Sequence, residues 1–441
     1  MTVTTVNAFC PAELAEVVAS SSEHMPDTNG LKHAVILSGG GADGAYEIGV
    51  LKALFNGRSP STNKTPIEPE IFCGTSVGAF NAAFLVSHWK NRGTAAISDL
   101  EDVWRNYLTA NPSTSHYGVF RIRMNPLEVL DPRSYFPNPF KPFTQLANDS
   151  VRLAADGFQR AFALVAGRDA SLIERVLETL NVSSLIDLSP LERTINRWID
   201  FSEIREEGAR TLRIAATNWA TGEPKIFHNY EMTDKLGLQA IMASTAIPGI
   251  FPQVKVGAQP FVDGGLVLNA PLELAIEAGA DVIHVIYLSA DVKKMPLAQM
   301  ENTMTTLLRQ QFIAWARQYY LDIEIVRATN KKKRLLESLE DQLTEEQAND
   351  LVQAVPTARK EPMGRNKYKE LIVHRYYPHE SLSGTLGLLD FSRGSIEERI
   401  ERGFNDASNY DPWVNQAVGV LDPEEAEKLE RQMIHGLREG Q

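Results

Sequence analysis

The first apolar run of the chain predicts a strand that leads through a glycine turn into a helix. Residues 34–37 are consecutive apolar residues, which indicates a buried strand. Glycine fills four of the positions 39–44, and from residue 45 onward apolar residues return at helical spacing. A turn of this composition leaves backbone N–H groups directed outward at a helix N-terminus, where they are suited to hold an anion or an oxyanion.

A second unit of the same kind follows. Residues 71–73 form a short apolar strand, and a helix of small residues begins after residue 78. The turn between them, residues 74–78, has the sequence Gly-Thr-Ser-Val-Gly, with Ser76 at its centre. Such a turn holds its serine on a strained backbone with the hydroxyl exposed, and the flanking glycines avoid clashes with neighbouring main chain. The two turns together predict acyl transfer chemistry.

The alternation of strands and helices continues to about residue 290. We predict further strands at residues 213–217, 225–229, 259–262 and 282–288, and further helices at residues 97–108, 236–243 and 272–278. Strands that alternate with helices form a mostly parallel sheet with helices on both faces. The sequence therefore predicts an α/β fold.

Two regions depart from this alternation. Residues 111–208 are predicted to be an insertion that begins with a proline-rich surface segment and continues in helices, one of them at residues 150–167. That helix has an apolar face suited to core packing or, alternatively, to a lid that touches a membrane. Residues 291–441 are predicted to be mainly helical and packed on the core, with one possible edge strand at residues 371–374. Residues 1–30 are a polar N-terminal extension.

Composition narrows the possible functions. The net charge of −12 over 441 residues argues against a general nucleic-acid binder, which needs a basic surface. The two cysteines form no disulfide framework, so a reducing, cytoplasmic compartment is expected. We find neither a signal peptide nor a run of about 18 apolar residues that would span a membrane. A peripheral contact with a membrane stays open, and the sequence does not define an oligomeric state.

A serine nucleophile needs a base, and the sequence offers one strong candidate. His284, His374 and His379 lack a supporting turn signature, whereas Asp263 ends an apolar strand and precedes two glycines. Those glycines would let a substrate or another backbone approach the carboxylate closely. Taken alone, Asp263 also fits an ordinary turn aspartate. No cluster of His, Cys or Asp residues has the spacing of metal ligands, so neither a metal nor a cofactor is expected.

Two other classes of protein compete with an esterase. The glycines at 39, 41 and 44 fit the fingerprint of a dinucleotide-binding turn, which expects an acidic residue at the end of the next strand. Here a polar loop and the Ser76 turn occupy that position, which argues against an oxidoreductase. The second alternative is a catalytically silent lipid-binding or scaffold protein, against which the intact Ser76, Asp263 and glycine turn argue.

The three motifs, in this order after core strands, resemble those of the patatin-like phospholipase family. The resemblance extends over residues 31–290 and more loosely over residues 386–404, and residues 243–252 and 263–271 support it. It implies a patatin-like three-layer α/β fold for residues 31–290 and a lipid acyl hydrolase that acts on phospholipids or other acyl esters.

The resemblance also implies roles for individual residues. Ser76 would be the nucleophile and Asp263 its direct partner, in a dyad without histidine. The oxyanion hole would consist of amides from Gly39, Gly40, Gly41 and Gly44. The glycines that support the other two motifs would be Gly74, Gly78, Gly264 and Gly265.

One position departs from the family pattern. Asp43 stands where the family usually has Arg or Lys. A carboxylate in the first turn of a helix is stabilised by the helix dipole, so Asp43 is open to interpretation as a simple capping residue. Alternatively, its charge repels phosphate headgroups and favours neutral acyl esters.

Overall fold

The structure, a computed structural model, describes residues 28, 30–111, 116–122, 186–289, 303–339, 371–382, 387–410 and 416–417. Its strands are β1 (His33–Leu37), β2 (Ile71–Thr75), β3 (Ala110–Asn111), β4 (His116–Tyr117), β5 (Arg121–Ile122), β6 (Ile186–Asp187), β7 (Thr211–Asn218), β8 (Pro224–His228), β9 (Val254–Val256), β10 (Gln259–Asp263), β11 (Val282–Ile286), β12 (Ile372–Tyr376) and β13 (Gln416–Ala417). Its α-helices are α1 (Ala45–Phe55), α2 (Val77–Arg92), α3 (Ala96–Val103), α4 (Ser189–Trp198), α5 (Phe201–Arg205), α6 (Asp234–Ser244), α7 (Leu272–Glu277), α8 (Thr303–Leu339) and α9 (Arg393–Ser408).

Nine of these strands form one mixed sheet. Its order is β13-β12-β11-β1-β2-β7-β10-β9, and β8 also pairs with β7. The five strands from β12 to β7 run parallel, and the strands around them pair antiparallel. The sheet is therefore parallel at its centre, as the alternation of strands and helices predicts.

One edge of β7 pairs with two different strands, β2 and β10. Thr75, the last residue of β2, pairs with Ala215, and Asp263, the last residue of β10, pairs with the adjacent Ala216. On the opposite edge, β8 pairs with both of these alanines. Strands β2 and β10 run in opposite directions, so their C-terminal ends meet head to head beside β7. The turn after Thr75 and the residue Asp263 are thereby brought together.

Helices cover both faces of the sheet. Successive residues of β1 point to opposite sides, because Val35 and Leu37 join one buried cluster and Ala34 and Ile36 join another. The larger cluster includes residues of α1, α2 and α9, whereas the smaller one includes residues of α7 and Val326 of α8. This is the layered α/β architecture expected from the sequence.

The C-terminal region contributes to this same sheet. The possible edge strand at residues 371–374 is present as β12, but it lies inside the sheet, because β13 pairs with its outer edge. The predicted helix at residues 97–108 is α3 followed by a π-helical turn, Trp104–Leu108. The short strand β9, for which the sequence analysis made no prediction, pairs with β10.

Several predictions from the sequence lie outside the described residues. They include nearly all of the polar extension at residues 1–30, the helix at residues 150–167 and the part of the predicted helical region after residue 417. Within the described ranges, no helix combines the length and apolar character needed to cross a bilayer.

Three histidines form a buried stack across the parallel strands. The ring centroids of His33 and His284 are 5.4 Å apart, and those of His284 and His374 are 5.2 Å apart. His284 shares hydrogen bonds with His33 (3.2 Å) and with the Tyr376 hydroxyl (3.2 Å), and His374 shares one with the Tyr410 hydroxyl (3.1 Å). Burial lowers the pKa of all three histidines, that of His374 to about 3.

This stack predicts a loss of stability in acid. The unfolded chain takes up a proton on each histidine below a pKa of about 6.5, whereas the folded stack stays neutral, so stability falls as the pH drops below that value. Relative to His374→Gln, the wild type should lose roughly 2 kcal/mol of unfolding free energy between pH 7.5 and pH 5. Urea unfolding at both pH values measures this difference. His379→Gln, at an exposed position of the same segment, is the control, and equal losses in the wild type and His374→Gln would contradict the prediction.

Candidate active site

Ser76 lies on a tight turn between β2 and α2. Its φ of 55° and ψ of −125° are unusual for a residue other than glycine, as expected for a serine on a strained turn, although the residue is buried rather than exposed. Gly74 and Gly78 permit this turn, because a Cβ on Gly74 would overlap the Gly78 carbonyl and a Cβ on Gly78 would overlap that of Leu37. The 16-residue helix α2 begins at Val77, so the positive end of its dipole lies at Ser76.

Ser244, at the end of α6, fixes the serine turn to the sheet. Its hydroxyl accepts a hydrogen bond from the Ser76 amide (2.8 Å) and donates one to the Ala215 carbonyl (2.6 Å). Ser244 lies within residues 243–252, a segment that supports the family resemblance. The sequence analysis assigned no role to this residue itself.

Asp263 is buried beside Ser76, with 3% of its surface exposed. Its Oδ1 atom accepts a hydrogen bond from the Gly265 amide (2.7 Å), and its main-chain carbonyl accepts one from Thr217 (3.0 Å). Gly264, in the same turn, lies against the Ala215 carbonyl of β7. Among the described residues, no donor makes a well-formed hydrogen bond to Oδ2. One carboxylate oxygen is thus held by the turn, and the other is available to accept a proton.

The environment of Asp263 favours the protonated form of its carboxyl group up to about neutral pH. Burial raises the pKa of Asp263 to about 7, against the opposing influence of the Ser76 hydroxyl and the Gly265 amide, which favour the ionised carboxylate. A general base works best when its pKa is close to the operating pH. The strained serine and the buried carboxylate together therefore have the properties of a nucleophile and its base.

The glycine turn supplies backbone donors, although fewer than the sequence analysis predicted. The Gly39 amide already donates to the Asn269 side chain (3.0 Å), so the prediction that it serves an oxyanion is not supported by this geometry. Gly44 is packed against Val77. The carbonyl oxygen of Gly44 is 3.4 Å from the side-chain amide nitrogen of Asn81. For the amides of Gly40 and Gly41, no acceptor is found among the described residues. These two amides are the candidate donors for an oxyanion.

Helix α8 holds the turns around the site from outside the motifs. The Gly265 carbonyl accepts hydrogen bonds from Trp315 (2.7 Å) and Gln311 (3.1 Å). The Asn269 main-chain amide donates to the Gln318 side chain (2.8 Å). The sequence analysis predicted only that this region is mainly helical and packed on the core, and it had no local signal for these hydrogen bonds.

A cavity opens from Ser76 into the core. Its lining is apolar except for Ser76 and Thr245, and it consists of Gly41, Ser76, Val77, Phe80, Trp104, Leu108, Val119, Leu188, Leu191, Thr245, Ile247, Phe251, Leu388, Leu389 and Phe391. Val119, Leu188 and Leu191 belong to the predicted insertion, and Leu388, Leu389 and Phe391 to the C-terminal region. An apolar cavity with a serine hydroxyl in its wall is suited to a hydrocarbon chain.

Asp43 is buried and paired with a residue of the C-terminal region. Its Oδ1 atom is 2.9 Å from Nε of Arg399 on α9, and side-chain exposures are 6% and 3%. The sequence analysis considered a helix cap or a charge that faces the substrate, and neither interpretation included this partner. Elsewhere in the described ranges, no group of three or more His, Cys, Asp or Glu side chains is placed to hold a metal ion.

The comparison with known families agrees with this architecture. The patatin-like phospholipase family matches residues 35–276, more than half of the chain. The chain therefore belongs to the patatin-like phospholipase family, and the predicted α/β fold is confirmed. At the level of the family, this places it among the hydrolases of lipid esters. A search of curated proteins found no match.

Two solved structures are similar in part. VipD from Legionella pneumophila is 15% identical, with a TM-score of 0.31 over 87% of this chain and 66% of that one. The heterodimeric complex ExoU–SpcU from the type III secretion system of Pseudomonas aeruginosa contains a chain that is 17% identical. Its TM-score is 0.23 over 75% of this chain and 67% of that one. The present chain thus spans about two thirds of the length of each relative.

Burial of Asp263 predicts a cost in stability. Because its folded pKa is about 7 and its unfolded pKa about 3.8, the folded state keeps a proton that the unfolded state has lost, and stability falls as the pH rises between those values. Above pH 7 the cost should reach roughly 4 kcal/mol relative to acid. The advantage of Asp263→Asn over the wild type should therefore grow between pH 5 and pH 8 in urea unfolding. An advantage that did not grow would contradict this, and the exposed Asp234→Asn is the control.

Proposed function

We propose that this protein is a lipid acyl hydrolase with a Ser76–Asp263 dyad. The observation that carries the proposal is the meeting of a strained serine and a buried carboxylate beside an apolar cavity that Ser76 lines, together with two amides for which the described residues offer no acceptor. The substrate would be an ester with an acyl chain that occupies the cavity. Its alcohol portion, a glycerol lipid or a simpler alcohol, would lie toward the mouth.

The first half of the reaction forms an acyl-enzyme. Oδ2 of Asp263 takes the hydroxyl proton of Ser76 while Oγ attacks the ester carbonyl. The carbonyl oxygen becomes an oxyanion, which the amides of Gly40 and Gly41 and the positive end of α2 stabilise. The tetrahedral intermediate then collapses, the bond to the alcohol breaks, and Asp263 returns its proton to the departing alkoxide.

The second half releases the fatty acid. Asp263 takes a proton from a water molecule, which attacks the acyl-enzyme through a second oxyanion in the same position. Collapse of this intermediate breaks the bond to Ser76, and the proton on Asp263 restores the serine hydroxyl. The carboxylate serves as base and then as acid in each half, a cycle for which a pKa near 7 is suited.

Replacement of Ser76 tests the nucleophile. Ser76→Ala should reduce kcat for a p-nitrophenyl ester by roughly a thousandfold or more, because the covalent step is lost. It should also prevent labelling by a fluorophosphonate. Ser87→Ala is a matched control, since Ser87 is a buried serine of the same helix that bonds to the Phe84 carbonyl. A Ser76→Ala variant that keeps more than a tenth of the wild-type rate would reject the proposal.

The same assay separates the hydrolase from a catalytically silent lipid-binding protein. A silent protein would retain a fatty acid in the apolar cavity, as measured by tryptophan fluorescence, but it would not react with the fluorophosphonate. That combination in the wild type would favour the silent alternative.

The pH profile tests the base. Activity requires the ionised Asp263, so kcat/KM should rise with pH, with a midpoint near 7, and level off above it. Asp263→Asn should be nearly as inactive as Ser76→Ala over the whole range. Single replacements of His284, His374 and His379 by Gln should retain most activity at pH 8. An essential histidine would instead indicate a Ser–His–Asp hydrolase.

A further inference from the structure

A buried ion pair joins the glycine turn to helix α9. Asp43 lies within the turn Gly41–Gly44, and Arg399 lies in the second turn of α9. Nε of Arg399 is 2.9 Å from the carboxylate, but its N–H is not aligned with the oxygen, so the contact is an ion pair and not a hydrogen bond. Since both side chains are almost fully buried, removal of either would take from the other a buried partner of opposite charge.

The same guanidinium also binds a turn that precedes α9. Nη1 donates to the Asp390 carbonyl (2.8 Å) and Nη2 donates to the Gly387 carbonyl (3.0 Å). Because the guanidinium is planar and rigid, these three contacts fix the turn at residues 387–391 relative to the glycine turn. A lysine has the charge but lacks this fork, so it cannot make all three contacts in the same geometry.

The turn at residues 387–391 also contacts both the glycine turn and the apolar cavity. The Leu388 carbonyl lies against the Cα of Gly41, which has a φ of +58°, and a Cβ at that position would overlap it. The side chains of Leu388, Leu389 and Phe391 form one wall of the apolar cavity. Residues 387–391 therefore support Gly41, whose amide is a candidate oxyanion donor, and also form a wall of the apolar cavity.

We propose that Arg399, with Asp43, is a positioning residue for the reaction and for the choice of acyl chain. The pair holds the amides of Gly40 and Gly41 at the correct distance from Ser76, and it holds the wall formed by residues 388–391 against the same turn. Neither side chain touches the substrate. Oxyanion donors act only when they lie about 2.7–3.1 Å from the developing charge, so a small shift of the turn costs rate. The inference rests on the proposed function.

Two conservative variants and one matched control test this role. Asp43→Asn keeps the size of the side chain and removes its charge, and Arg399→Lys keeps the charge and removes the fork. Arg402→Lys is the control, because Arg402 lies on the same helix and donates to the carbonyl of Glu380 (3.0 Å) without contact to the glycine turn. The substrates are p-nitrophenyl esters of two, eight and sixteen carbons, and circular dichroism and Tm establish that each variant is folded.

Loss of positioning should appear in kcat and in chain selectivity. For the two-carbon ester, Asp43→Asn and Arg399→Lys should lower kcat by roughly 10- to 100-fold and change KM by less than about threefold, since the loss of one oxyanion donor costs up to about a thousandfold. The ratio of sixteen-carbon to two-carbon kcat/KM should shift by at least about fivefold as the wall moves. A trifluoromethyl ketone, whose serine adduct carries an oxyanion, should lose affinity in parallel with kcat/KM. Arg402→Lys should match the wild type in all three readouts.

A purely structural ion pair gives a different result. In that case the Tm falls, but kcat, chain selectivity and inhibitor affinity of the folded variants equal those of the wild type, and the inference is overturned. If Arg399→Lys does not fold, the result for Asp43→Asn alone tests the positioning role. Ser76→Ala in the same panel distinguishes failure of the proposed hydrolase function from failure of the positioning role. A wild type no faster than Ser76→Ala rejects the hydrolase, whereas an active wild type matched by folded Asp43→Asn rejects only the positioning role.

Discussion

The site depends on the pairing of two strands along one edge of β7. Thr75 and Asp263 pair with the adjacent residues Ala215 and Ala216, so β2 and β10 end against each other. Backbone hydrogen bonds of a sheet fix this register, because a shift of one residue would turn Asp263 to the other face. Ser244 adds a further constraint, since it binds both the Ser76 amide and the Ala215 carbonyl. The catalytic geometry that we propose is therefore a property of the sheet itself.

Burial of the carboxylate is the second requirement. A histidine-containing triad separates its serine from its carboxylate by an imidazole, whereas a direct dyad needs an aspartate that itself accepts and returns a proton near pH 7. Desolvation of Asp263 supplies this property, and it does so without a neighbouring charge among the causes of its pKa shift. Burial raises the pKa of the carboxylate, and this one change makes it a stronger base and lowers the stability of the folded state.

Local sequence patterns predicted the parts of the fold and site that depend on neighbouring residues. The apolar runs located β1, β2, β7 and β11, and turn composition located Ser76, Asp263 and the glycine turn. Sequence did not predict that Asn269 occupies the Gly39 amide or that Arg399 pairs with Asp43, because those contacts join residues more than 200 positions apart. It also treated Trp315 as core packing, since an apolar stripe does not reveal which polar atom an indole N–H will meet.

The order of the chain has a consequence for its synthesis. Ser76 and Asp263 lie in the first 263 residues, but β12, the wall at residues 388–391 and Arg399 come more than a hundred residues later. A ribosome makes these elements after Ser76 and Asp263, so a nascent chain that already carries both residues still lacks one side of its cavity. Under the proposed role of Arg399, a growing chain completes the support of its glycine turn only after residue 399 has been made, long after Ser76 and Asp263.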